Sequence, residues 1–257
     1  MANKHGDFIW YELMTSDPDG AATFYGSLIG WSFGSADQPG MDYRQFTAPD
    51  GEMIGGCMKV PDGAPMPPMW LGYIGVDDVD ACAASIRSAG GQVHMEPDDI
   101  PGVGRFAFVA DPQGVPFYIM RGASDGTSGS FSYEKPRDGH CAWNELSTTD
   151  PAGAMAFYTG QFGWVKDGDM DMGPMGKYEF LRHGEQIGAI MPMMPEQPMP
   201  AWSYYFRVPD IDAAKAQAER SGGQVVHGPS EVPGGDFIIT GVDPQGAIFS
   251  LVGKRAS

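Results

Sequence analysis

The chain is 257 residues long with 42% hydrophobic side chains, enough for one large core or two of ordinary size. Its net charge of −17 argues against a nucleic-acid partner, which needs clustered Lys and Arg to displace counterions. No run approaches the roughly 18 apolar residues of a membrane span and "MANKHGDF" lacks the apolar stretch of a signal peptide, so no membrane partner and a cytoplasmic location are expected.

Residues 8–14, "FIWYELM", read as a buried strand that carries one carboxylate, Glu12. Asp17-Pro18 then supplies a helix N-cap and first-turn proline, Ala21, Phe24, Tyr25 and Leu28 form one apolar stripe, and Gly30 stops the helix. Short strands follow at 31–33, 43–48 and 53–60, with "PDGE" as a hairpin turn. The order then recurs: a strand over 70–76, a helix over about 78–89, and strands near 92–94, 105–110 and 115–121, the last two joined by "DPQG". Cys57, Cys82 and Cys141 have no C-x-x-C spacing and read as core residues.

The chain is also a repeat. "WYELMTSDPDGAATFYGSLIGW" from Trp10 returns as "WNELSTTDPAGAMAFYTGQFGW" from Trp143, and "GGQVHMEPDDIPGVGRFAFVADPQGVPF" returns as "GGQVVHGPSEVPGGDFIITGVDPQGAIF". The expected fold is therefore α+β, with four βαβββ modules. A first domain spans 1–122 (modules about 7–60 and 69–122) and a second spans 140–254 (modules about 140–194 and 201–254). Between them 123–139 is Gly/Ser-rich and then charged, the composition of a flexible linker.

On these motifs the chain resembles the vicinal oxygen chelate superfamily of glyoxalases, bleomycin-resistance proteins and extradiol dioxygenases, in particular tandem bacterial members with W-x-E-L in the first strand of each half. The resemblance implies that paired modules form cups that hold a small molecule or a metal. Whether the modules pair in order or exchange partners stays open. At the positions where metal-dependent relatives carry ligands, this chain has Trp10, Leu71, Trp143, Ser203, Tyr118 and Ser250, so no metal and no cofactor are expected. The five His, at 5, 94, 140, 183 and 227, include no i, i+4 pair and read as surface or hydrogen-bonded groups.

Strand alternation puts Trp10, Glu12 and Met14 on one face and Tyr11 and Leu13 on the other. The resemblance turns the first face into the cup, and does the same for Trp143 and Glu145. A carboxylate among apolar walls has its charged form disfavoured, which suits a general base for proton abstraction beside a carbonyl. Glu12 and Glu145 are the candidate catalytic residues, and Trp10, Trp143, Tyr118, Met14 and Ser250 the candidate substrate contacts. The competing reading has each Glu accepting hydrogen bonds that pin the modules together. The expected function is metal-independent lyase or isomerase chemistry on a small, partly apolar organic molecule; the alternative is a protein that binds such a molecule without turnover. Four modules in one chain allow a monomer or a homodimer.

Overall fold

The computed structural model describes residues 3–35, 42–60, 63, 66–195 and 197–255. The elements run as four βαβββ modules. The first holds β1 (Phe8–Thr15), α1 (Pro18–Ile29), β2 (Ser32–Phe33), β3 (Tyr43–Thr47) and β4 (Met53–Lys59); the second holds β5 (Met69–Gly75), α2 (Val79–Ser88), β6 (Gln92–Ile100), β7 (Gly104–Ala110) and β8 (Pro116–Gly122). The third holds β9 (Cys141–Thr148), α3 (Pro151–Phe162), β10 (Val165–Asp171), β11 (Lys177–His183) and β12 (Glu185–Pro192); the fourth holds β13 (Ala201–Val208), α4 (Ile211–Arg220), β14 (Gln224–Val232), β15 (Asp236–Val242) and β16 (Ile248–Gly253). The strands form two eight-stranded sheets, ordered β2-β3-β4-β1-β5-β8-β7-β6 and β10-β11-β12-β9-β13-β16-β15-β14. In every module the strand before the helix runs parallel to the last strand. No helix among the described residues is long and apolar enough to cross a membrane.

The helix signals in the sequence act as expected. The Asp17 side chain accepts from the Gly20 N–H, and Gly30 closes α1 at φ 86°, a left-handed conformation open to glycine without strain. Asp150 and Gly163 repeat the pair around α3. One strand runs longer than its pattern predicts: β6 continues through Pro97 to Ile100, because it lies at a sheet edge where a missing N–H costs no ladder bond.

The chain divides into two compact units. The first comprises Met1–Ile9, Leu71–Ser128 and Asn144–Trp202; the second comprises Trp10–Trp70, Gly129–Trp143 and Ser203–Ser257. Each is built round one buried relay. In the first unit, the Tyr158 hydroxyl of α3 donates to Asp111 Oδ2 at 3.1 Å and accepts from Trp202 Nε1 at 3.0 Å. In the second, the Tyr25 hydroxyl of α1 donates to Asp243 Oδ2 at 2.9 Å and accepts from Trp70 Nε1 at 3.1 Å. Asp111 and Asp243 open the two "DPQG" turns, and each also accepts two backbone N–H groups of its own turn. The helix tyrosine of the third module thus reaches the turn of the second, and that of the first reaches the turn of the fourth. The pairing left open by the sequence is therefore in order within the sheets, where β1 neighbours β5 and β9 neighbours β13, and exchanged only in these helix-to-turn relays. Burial pushes both carboxyls above the ordinary carboxylate range although the hydrogen bonds oppose it.

The Gly/Ser-rich connection is fastened over its second half rather than loose. The Cys141 N–H donates to Ser130 O at 3.0 Å and the Ser132 N–H to Cys141 O at 2.8 Å, while Ser132 Oγ donates to Lys135 O at 2.6 Å. Composition shows a low barrier to bending; it does not show the backbone partners that a particular turn finds.

Candidate functional site

In the second unit, β1 separates its faces as alternation requires. Tyr11 and Leu13 are fully buried, with the Tyr11 ring edge-on to Tyr204 and Phe206 at 5.1 and 5.6 Å. Glu12, on the other face, stands beside Gly56 of β4. A Cβ on Gly56 would collide with the Tyr43 ring, so the bare glycine is what lets that ring lie over the ladder next to Glu12. The Tyr43 hydroxyl accepts from Trp10 Nε1 at 3.0 Å. Trp10 and Tyr43 are half-buried, whereas Glu12 is 2% exposed and Met14 3%. On the neighbouring strand position Cys57 is held as a thiol, its pKa pushed up to about 12 by burial.

In the first unit, Glu145 on β9 stands beside Ala189 of β12, again a small neighbour. The Tyr178 hydroxyl of β11 donates to Glu145 Oε2 at 2.7 Å, and the Tyr178 ring packs edge-on to Phe180 at 5.5 Å. Glu145 is half-buried, in contrast with Glu12. Its strand is fixed by Asn144 Nδ2, which donates to Ile187 O at 2.7 Å.

Glu12 and Glu145 each stand five residues before the N-cap Asp of the following helix, and the same step lands on Tyr73 and Tyr205 in the other two modules. Tyr73 stacks on Tyr118, centroids 4.3 Å apart and planes 17° apart, and Phe108 and Phe106 continue the row at 4.8 and 6.0 Å from Tyr118. The neighbouring Phe117 packs on Tyr158 and Phe162 of α3, so Tyr118 is on the face away from that helix. Ser250 pairs with Tyr205 and its hydroxyl lies 3.2 Å from that of Thr240. Trp143 packs with Tyr133 and, like Ile238, against the cluster of Ala142, Tyr205 and Val252. The structure therefore gathers Trp143 and Ser250 around Tyr205, sets Tyr118 in an aromatic row, and gives each Glu a neighbouring tyrosine.

Tyr73 and Tyr205 were findable from their constant distance to the capping Asp. Tyr43 and Tyr178 were not: they are 135 residues apart while the two Glu are 133 apart, so a fixed-offset alignment slips past them. Of the histidines, His5 lies between Gln161 O and the Asp77 N–H, His183 meets Asp7 at 3.4 Å, and His94 rests on Phe108.

The donor set does not fit a divalent metal at the positions where the resemblance would place one. Trp10, Leu71, Trp143, Ser203, Tyr118 and Ser250 offer indoles, an alkyl group, a phenol and hydroxyls where imidazoles and carboxylates are needed. Among the described residues, three groups that could converge on an ion are Asp50, Glu52 and His140, but the Arg137 guanidinium is ion-paired to both carboxylates and occupies that role.

Comparison with known proteins agrees with the modules. The model of the Glyoxalase/Bleomycin resistance protein/Dioxygenase superfamily matches residues 8–119 and 139–251. The chain is 38% identical over 259 residues to "Putative glyoxylase CFP32" of Mycobacterium tuberculosis, covering 97% of this chain and 95% of the relative. It is 30% identical to "Anthracycline biosynthesis protein DnrV" of Streptomyces peucetius, covering 96% of this chain and 92% of that one. The Mn(II)-bound glyoxalase from Novosphingobium aromaticivorans shares the fold with a TM-score of 0.66 at 18% identity, over 98% of this chain and 83% of that one. The 2,2',3-trihydroxybiphenyl 1,2-dioxygenase of Sphingomonas wittichii does so at 0.67 and 14%, over 96% and 90%. With both repeats matched, the chain belongs to the Glyoxalase/Bleomycin resistance protein/Dioxygenase superfamily.

Proposed function

We propose that the protein is a metal-independent lyase or isomerase for a small, partly apolar carbonyl compound, with Glu145 as the general base. The observation that carries this reading is the 2.7 Å hydrogen bond from the Tyr178 hydroxyl to Glu145 Oε2, which orients the carboxylate as a base needs. Glu145 is half-buried whereas Glu12 is 2% exposed, which supports Glu145 as the group that a ligand meets. In the step, Glu145 takes the proton from carbon beside the carbonyl and the C–H electron pair moves into the carbonyl as an enolate. Glu145 then returns its proton to another carbon as the pair collapses there, or the pair expels a β-leaving group that takes the proton from Glu145. The names of two relatives, a glyoxylase and an anthracycline biosynthesis protein, are consistent with a small organic substrate.

The test is proton washout in D2O, followed by proton NMR over a panel of small aldehydes, ketones and 1,3-dicarbonyls. The wild type is expected to exchange the acidic C–H of at least one compound, and Glu145→Gln to lose that exchange by about 100-fold or more while still binding the compound. Equal exchange by both proteins contradicts the assignment. The Tyr73–Tyr118–Phe108 row favours a second reading, binding without turnover, since it supplies ring faces and no base. That reading expects quenching of tyrosine fluorescence by a planar ligand with no washout in any variant.

A further inference from the structure

The turn joining β3 to β4 and the chain entering β9 meet, within the second unit, in a cluster of four charged side chains. His140 is fully buried at its centre. Its Nδ1 lies 2.6 Å from Gly129 O and its Nε2 lies 3.0 Å from Asp50 Oδ2. Both partners are acceptors, and a neutral imidazole has only one N–H to give. Were either nitrogen bare, its lone pair would face an oxygen lone pair at hydrogen-bond distance. We infer that His140 is a buried imidazolium that, with Arg137, forms a proton-dependent latch holding residues 129–140 on the 48–52 turn.

The charges support this assignment. Arg137 Nη1 donates to Asp50 Oδ2 at 3.1 Å and to Glu52, and its Nη2 donates to Gly129 O at 2.9 Å. Two cations then balance two carboxylates in a partly dry site, where an unbalanced charge would be costly. Burial alone would raise the Asp50 carboxyl, but the Glu52 N–H, His140 and Arg137 together hold it below its ordinary value; independently of His140, Asp50 already accepts from the Glu52 N–H at 3.1 Å and from Arg137 Nη1 at 3.1 Å. The remaining charged group next to His140 is Arg207, whose N–H donates to His140 O at 2.9 Å while its guanidinium pairs with Asp236 at 3.0 Å. The exposed Glu134, Lys135 and Asp138 lie on the fastened segment itself. The backbone is shaped for the latch: a Cβ on Gly129 would collide with the Glu52 carboxylate, and Gly139, at φ 85°, offers its carbonyl to Trp31 Nε1 at 2.8 Å.

The sign follows from the charge. The latch is made while the ring carries both protons, and it is lost as pH rises and the ring gives one up, because Nε2 or Nδ1 then faces an acceptor with nothing to donate. The segment so released runs directly into β9, the strand of Trp143 and Glu145. The inference does not depend on any catalytic role.

Two readouts test it. Nitrogen-15 NMR of the His140 ring at about pH 6, with His140→Gln to identify its signals, is expected to show both nitrogens protonated; one bare nitrogen overturns the assignment. Hydrogen exchange at the amides of Ser132, His140 and Cys141, corrected for intrinsic rates, is expected to lose about 10-fold or more protection between about pH 6 and about pH 9 in the wild type. Protection that is the same at both pH values overturns the latch.

Discussion

At the scale of single residues, the two repeats carry a carboxylate at the same strand position and differ in how far they bury it. Glu12 is enclosed beside Gly56, and its neighbouring Tyr43 is engaged by Trp10; Glu145 is half-exposed and directly hydrogen-bonded by Tyr178. A phenol that fixes a base acts on orientation, so Tyr178→Phe is expected to lower the washout rate by about 10- to 100-fold with little change in ligand affinity. Steady-state kinetics that show a raised KM and an unchanged kcat would assign Tyr178 to binding instead. The buried aspartates make a second residue-scale case. Because burial raises Asp111 in the folded state, its contribution is full below the unfolded carboxylate pKa of about 3.9 and is lost as pH rises through the raised value. The stability of the wild type relative to Asp111→Asn, from urea denaturation, should therefore fall with rising pH. A difference that rises with pH would mean that the hydrogen bonds from Tyr158 and the turn outweigh burial.

At the scale of elements, much was legible because local chemistry decides it. Asp17-Pro18 and Gly30 bound α1 as the sequence indicates, and the stripe of Ala21, Phe24, Tyr25 and Leu28 is the face that is buried. Asp17→Ala should cost about 1 kcal/mol in chemical denaturation through the lost bond to Gly20. What could not be read was whatever depends on a distant partner. "FY" and "DPQG" mark the family in the sequence, but no spacing shows that Tyr25 bonds Asp243 or that Tyr158 bonds Asp111. Tyr158→Phe leaves the Asp111 carboxyl one donor short in a buried site and is expected to cost about 1–3 kcal/mol. Similarly, Gly56 looks like any strand glycine until the Tyr43 ring is seen above it. Gly56→Ala should displace that ring and destabilise the protein by about 1–3 kcal/mol, read as a lowered denaturation midpoint.

At the scale of the whole molecule, duplication explains both the legibility and its limit. Four copies of one βαβββ pattern fix the fold beyond ambiguity, and the family match follows. The same redundancy hides the chemistry, since this fold serves many reactions and a residue repeated in both halves can be a base in one and a fastening in the other. The carboxylate in "FIWYEL" is the more buried of the two, and the proposed function rests on its half-buried copy in "WNEL". The most direct test is the washout assay run side by side on Glu145→Gln and Glu12→Gln. The account expects loss of about 100-fold or more in the first and retention within a few-fold of wild type in the second, provided both fold. Loss in Glu12→Gln with full activity in Glu145→Gln would contradict it.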